Sequence, residues 1–335
     1  MKYEILNTTP VDQDVRAALA SVRNLQTHTP QTKEIRRELI DFSDGEAQAV
    51  KRAKGCLFLH GESGTGKTTI LHQFMTIDME KAEKDGRGKA LYVEVPAICD
   101  ERSFADEILQ ALGDPAAHFG NPANKMRRVG KCLTENNYTL LVLDEAQHLI
   151  LTSDNKTIHT VADWLKNGLN TWNVSIVFCG KDDILMIPKV NEQIKSRAAG
   201  NYHSLRACEW GNKKSRQSYK VILMALDKLL PFETSAGLEQ LELAKIIYDA
   251  TGGLLRPTAR LIERAGLLAV RAGLDRLTTE TLNMAIAKVH GGADNDNGSN
   301  KNVEVVRSRS LNKVKKPSMK LNKELHRMLA TKGGE

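Results

Sequence analysis

The stretch Gly61-Glu62-Ser63-Gly64-Thr65-Gly66-Lys67-Thr68 carries the clearest chemistry in this chain. It spells Gly-x-x-x-x-Gly-Lys-Thr, a phosphate-binding loop pattern that has meaning only between a strand and a helix. Both flanks fit. Cys56-Leu57-Phe58-Leu59-His60 is a short apolar run suited to a buried strand, and Thr69, Ile70, Leu71, Gln73, Phe74 and Met75 follow with helical spacing. The glycines let the backbone wrap phosphates and aim its N–H groups inward, and the helix N-terminus adds partial positive charge. Lys67 is then placed for the β- and γ-phosphates and Thr68 for Mg²⁺, with Glu62, Ser63, Thr65 and Thr69 completing the nucleotide-binding set. A glycine-rich turn with a solvated lysine would leave the strand, the hydroxyl and the helix unexplained.

A second constellation, Asp144-Glu145, ends the apolar run Leu140-Leu141-Val142-Leu143. Ligands in open parallel sheets sit at strand C-termini, so these two acids belong beside the phosphate loop. Asp144 is expected to hold the Mg²⁺ shell, through water or through Thr68, and Glu145 to polarise the attacking water as general base. The cofactors this implies are ATP and Mg²⁺. A paired Asp-Glu points to the ATPase division with an extra strand inserted between the two motifs. Val174-Ser175-Ile176-Val177-Phe178-Cys179-Gly180 is the next apolar run. ATPases of that division usually place a polar sensor at the end of this strand. Here Cys179, Gly180 and Lys181 stand there, with no Asn or Thr, and the sensor stays unassigned.

The elements that must position these residues alternate strand and helix. Ala90 to Val95 reads as a strand closed by Pro96; Phe104, Ile108, Leu109 and Leu112 mark a helix stopped by Gly113-Asp114-Pro115. Met126, Val129 and Leu133 mark another, and Ile158, Val161, Leu165 and Leu169 a third. A short strand is expected over residues 202–205. Ahead of the loop, Val15, Leu19 and Val22, then Ile35, Leu39 and Ile40, have helical spacing. Residues near Thr29 to Ile35 fit either the edge of an adenine pocket or plain packing. After Ser218 four apolar stripes follow: Val221, Ile222, Ala225 and Leu229; Leu238, Leu241, Ala244 and Ile247; Leu261, Ile262, Ala265 and Leu268; Leu282, Ala285, Ile286 and Val289. These predict a small helical bundle.

Composition bounds the rest. At 335 residues, 41% apolar and 27% charged, the chain has an ordinary globular make-up. It has no run of about 18 apolar residues and no signal-peptide core, so no membrane segment is expected. Five scattered cysteines without a Cys-x-x-Cys pair predict reduced thiols and a cytoplasmic setting. The net charge of +7 lies entirely beyond residue 300, where basic residues exceed acids by seven. That tail follows a Gly/Asn/Asp-rich linker from Gly291 and is expected to be flexible, with a helical turn around Leu321 to Leu329.

A nucleotide-binding sheet followed by a helical lid resembles the AAA+ ATPases. The run from Gly61 through Asp144-Glu145-Ala146-Gln147-His148-Leu149, then Ser196-Arg197, then Thr251-Gly252-Gly253-Leu254-Leu255-Arg256, resembles the TnsC/TniB transposition regulators over roughly residues 28–290. The ends Val95-Pro96 and Leu112-Gly113-Asp114-Pro115 are also similar. The Thr-Gly-Gly-x-x-Arg block is shared in appearance with the secretion ATPase ExeA.

The resemblance implies an α/β fold: an AAA+ P-loop αβα sandwich on a central parallel sheet, with a small helical lid and a flexible basic tail. The implied domains are a helical extension at 1–36, the nucleotide domain at 37–212, the lid at 213–290 and the tail at 291–335. It implies an ATPase, slow and assembly-dependent, that oligomerises on double-stranded DNA without sequence preference as a ring or filament. The partners would be a transposase and a target-selection protein. Arg197 matches an arginine finger acting on a neighbouring subunit, and Arg256 a lid arginine that senses the γ-phosphate. His148 reads as packed rather than catalytic. DNA contacts would fall after the second strand, where Arg102, Lys125, Arg127, Arg128 and Lys131 stand. Other readings are a helicase loader, an ExeA-like secretion ATPase, or a nucleotide-gated scaffold; the intact Lys67, Asp144 and Glu145 oppose the last.

Overall fold

The computed structural model describes residues 13–23, 29–48, 54–151, 163–166 and 168–291. The basic tail, Ile158 and Val161 lie outside the described residues. The chain divides into two compact units, residues 30–206 and the remainder on either side.

The central unit is built on five parallel strands. They are β1 (Cys56–His60), β2 (Lys89–Glu94), β3 (Tyr138–Asp144), β4 (Ser175–Gly180) and β5 (Tyr202–Ser204). Their spatial order is β2-β3-β4-β1-β5, so β4 separates the two motif-bearing strands, as the Asp-Glu pair predicts. β1 and β4 are buried along their whole length, which suits strands covered on both faces. Alternate residues feed two cores. Leu57, Leu59, Leu140, Val142 and Val177 pack against α2 (Pro30–Gln48) and α3 (Lys67–Asp85). Phe58, Leu141, Leu143, Ile176 and Phe178 pack under α4 (Glu101–Ala111) and α5 (Pro122–Glu135). Ile35 is buried among the first set, so the packing role of the segment entering the sheet is met.

All five strands end at one edge because all run parallel. The chain leaves β1 into α3, β3 into a short helix α6 (His148–Leu151), and β4 into a 3₁₀ turn at Asp182–Leu185. Two further short helices, α7 (Met186–Val190) and α8 (Glu192–Ala198), lead to β5.

The second unit contains α9 (Lys213–Asp227), α10 (Leu241–Thr251), α11 (Leu255–Arg271) and α12 (Thr279–Gly291), joined by α1 (Gln13–Arg23). This differs from a separate extension over residues 1–36. Leu19 and Val22 of α1 are buried with Ile262, Ala265 and Ala269, whereas Ile35 and Leu39 of α2 are buried in the sheet unit. Two stripes also shift. The buried face of α9 is Tyr219, Ile222, Leu223 and Leu226, and Val221 is 45% exposed. Leu241 opens α10 at 61% exposed. Tyr219 bonds the hydroxyls of Thr251 at 3.2 Å and Thr258 at 3.0 Å, so the polar atoms in this core are paired with one another. Among the described residues no helix is long and apolar enough to cross a membrane.

Candidate nucleotide site

The phosphate loop leaves the C-terminal end of β1 and enters α3 at Lys67. Gly61, Gly64 and Gly66 have φ of 148°, 85° and 105°. At Gly61 a Cβ would lie 2.0 Å from the Leu205 carbonyl oxygen, so only glycine fits between the loop and β5. The Lys67 ammonium is buried and donates to the carbonyls of Gly61 and Glu62, at 2.8 Å each. Thr65 closes the loop on itself by donating to the Glu62 carbonyl at 2.9 Å. A lysine folded onto loop carbonyls can exchange these acceptors for phosphate oxygens without moving its stem.

Asp144 closes β3 and is 2% exposed. One of its oxygens accepts from the Tyr92 hydroxyl at 3.0 Å, the other from the Glu145 backbone N–H at 2.9 Å. Burial and the neighbouring Asp144 carboxylate push the Tyr92 phenol well above its ordinary pKa, so it stays a donor at any working pH. Cys179, fully buried beside Asp144, is likewise held protonated, first by burial and then by that charge. The ends of β1 and β3 are two strand spacings apart, about 10 Å across the intervening β4. Thr68, in the first turn of α3, and Asp144, at the end of β3, therefore both lie at the edge of the sheet where its strands end. Magnesium needs no all-protein cage, since one carboxylate and a hydroxyl suffice when substrate phosphates and water complete its octahedron. No larger cluster of metal-binding side chains occurs among the described residues.

Glu145 has φ of 52°, a left-handed conformation that costs a non-glycine residue about 1–2 kcal/mol. Its Oε2 accepts from the carboxamide of Gln147, which is 1% exposed. Oε1 has no hydrogen-bond partner among the described residues. The turn between Glu145 and α6 is tied down by Ala146 N–H to the Cys179 carbonyl at 2.8 Å. His148 donates from Nδ1 to the Val95 carbonyl at 3.0 Å, a packing role. Tyr92 and Gln147 are the two site residues that motif reading does not assign.

Arg197 lies elsewhere. It sits in the last turn of α8 and donates to the Lys54 carbonyl at 3.5 Å and to the Asn170 side chain. Lys54 precedes β1, at the edge of the sheet opposite the phosphate loop. Arg256 is exposed in the first turn of α11, in the second unit.

The cationic zone on α4 and α5 is less open than its sequence suggests. Lys125 is 0% exposed and ion-paired with Asp106. Arg128 donates from Nε to Asp114 at 3.0 Å, from Nη2 to the Ala116 carbonyl at 2.7 Å and from Nη1 to the Phe119 carbonyl at 2.9 Å. These two cations staple the α4–α5 loop, Lys125 from a buried position and Arg128 from a half-buried one. Arg102, Arg127 and Lys131 remain exposed.

A family model described as bacterial TniB protein matches residues 19–206, more than half of the chain. The chain belongs to the TniB family. Its α/β P-loop fold is shared with proteins of known structure. Cdc6p from Pyrobaculum aerophilum aligns over 79% of this chain and 69% of its own, with TM-score 0.62 and 17% identity. Aeropyrum pernix Orc1, solved in complex with DNA, aligns over 82% and 69%, with TM-score 0.59 and 19% identity. Aeropyrum pernix Orc2, solved with ADPNP and ADP, aligns over 84% and 73%, with TM-score 0.60 and 17% identity. At these identities the likeness concerns the fold alone. No curated protein matches the chain.

Proposed function

We propose that this TniB-family protein is an ATP-dependent transposition regulator that assembles on target DNA and links a target-selection protein to the transposase. ATP binding drives assembly and slow hydrolysis drives release. The carrying observation is the pairing, across β4, of a complete phosphate loop at the end of β1 with Asp144-Glu145 at the end of β3. Lys67 and the loop N–H groups bind and orient the triphosphate. Thr68 and Asp144 would hold Mg²⁺, which would supply neutralisation of the triphosphate charge. Glu145 accepts the proton of the attacking water.

Arg197 supports oligomeric action, because it stands at the far edge of its own sheet and can serve only a neighbour's nucleotide. Arg256 is assigned the γ-phosphate-sensing role in the same assembly, and the second unit that of a lid. DNA is held without sequence preference through phosphate contacts from Arg102, Arg127 and Lys131, a set from which the buried Lys125 and the stapled Arg128 drop out. The likeness in fold to an Orc1 protein solved with DNA is compatible with this reading.

The test is phosphate release by the wild-type protein, Lys67→Ala and Glu145→Gln, with and without duplex DNA. Only the wild-type should turn over, faster with DNA. Glu145→Gln should still bind nucleotide, and Lys67→Ala should not. Parent-rate hydrolysis by Glu145→Gln would refute the base assignment.

A further inference from the structure

β4 ends in Gly180 at the position where a polar reader of the nucleotide is expected, and the structure shows what fills that space. A Cβ on Gly180 would lie 2.3 Å from Oε1 of Gln147 and 3.1 Å from its backbone nitrogen. The strand lacks a side chain there because the Gln147 carboxamide occupies the place. That amide makes two bonds, and they fix its orientation. Oε1 accepts from the Lys181 backbone N–H at 3.0 Å, a group that can only donate. Nε2 therefore faces Oε2 of Glu145, a carboxylate that can only accept. The next link runs to the phosphate loop, since the Gly61 N–H donates to the Gly180 carbonyl at 3.2 Å.

We propose that Gln147 is the positioning residue for Glu145, registering its carboxylate against the end of β4 and, through Gly180, against the phosphate loop. The inference rests on Glu145 being the base. A glutamate on a strained left-handed turn has a free rotor at its end. The Gln147 donor fixes one oxygen and so fixes the plane of the carboxylate. Oε1 is left to take the proton as the water oxygen bonds to the γ-phosphorus and the bond to the ADP oxygen breaks. A buried amide with a purely structural task would be equally satisfied by any carbonyl. This one is placed against the carboxylate assigned to take the proton.

Gln147→Glu separates the two bonds. The new carboxylate can still accept from Lys181, but it sets a negative charge where the donor was. Turnover at pH 7 should fall about tenfold to a hundredfold, the scale of a misplaced catalytic group. The Kd for a fluorescent ATP analogue should stay within about twofold of the parent, since Gln147 makes no contact with the loop's phosphate-facing groups. Gln147→Met, similar in volume but without either bond, should lose turnover comparably at unchanged nucleotide affinity. Parent-like kcat in Gln147→Glu, with Glu145→Gln inactive, would overturn this inference alone. Lost nucleotide affinity in both variants would also overturn it, because the amide would then be structural. Parent-rate turnover by Glu145→Gln would overturn the base assignment and this inference together.

Discussion

Arg197→Ala should abolish most turnover while leaving nucleotide affinity intact, and the reason is distance. Its guanidinium is anchored at the Lys54 carbonyl, whereas the phosphate loop opens at Gly61, beyond the far end of β1. Seven residues of extended chain from Lys54 to Gly61, at about 3.3 Å each, put about 23 Å between them. That is several times the reach of an arginine, so rescue must come from a second chain. Arginine fingers are worth ~10³–10⁵ in rate, which sets the loss expected for the variant alone. Mixing it with an equal amount of Lys67→Ala gives a quantitative expectation. A competent interface needs an intact loop from one protein and an intact Arg197 from the other, which occurs at about a quarter of random head-to-tail interfaces. Phosphate release by the co-assembled mixture should therefore recover to about a quarter of the parent rate per subunit, from two nearly inactive components. Co-sedimentation establishes that the two proteins mix. No recovery in a mixed assembly, or an Arg197→Ala protein at the parent rate, would refute the reasoning.

The remaining predictions address other parts of the molecule. Lys125→Met should lower stability by about 3–5 kcal/mol by leaving Asp106 without its buried partner, seen as a reduced urea midpoint. By contrast, Arg102→Glu and Arg127→Glu should leave the urea midpoint unchanged and weaken binding to all duplexes alike. Binding should also fall by ~0.9 log unit per log unit of salt for each neutralised phosphate. A marked preference for one sequence over a scrambled duplex would contradict this. Burial lowers the His203 pKa below its ordinary 6.5, so the unfolded chain binds more protons than the folded one just below that value. Stability should decline as pH falls through 6.5 and lower, and His203→Gln should flatten that decline in urea titrations at pH 7.5 and 5.5. An unchanged slope would show that His203 is not the group responsible.

The legible parts of this fold are those written contiguously. The phosphate loop, the four-residue apolar run before Asp144-Glu145 and the apolar run 176–179 of β4 each carry their own context, so the strand inserted between the two motifs and the site's two halves follow. The parts that sequence does not disclose depend on which residues tertiary packing brings together. Lys125 and Arg128 sit on a helix with the look of a solvated cationic face, but Asp106 and Asp114 reach them from the preceding helix and loop. Tyr92 reads as a strand residue, and only the β2–β3 pairing sets its hydroxyl on Asp144. Gln147 leaves one trace in sequence: a glycine at the end of β4 where a polar side chain is expected. Val15, Leu19 and Val22 announce a helix without saying which core receives it, because an amphipathic stripe carries no address.

Electron microscopy of Glu145→Gln with ATP, in the presence and absence of duplex DNA of arbitrary sequence, tests the central claim most directly. Rings or filaments should form on the duplex with ATP, be absent with ADP, and fail to form when Lys67 is also replaced by Ala. A protein that binds ATP at the phosphate loop yet stays dispersed on every duplex tried would contradict it.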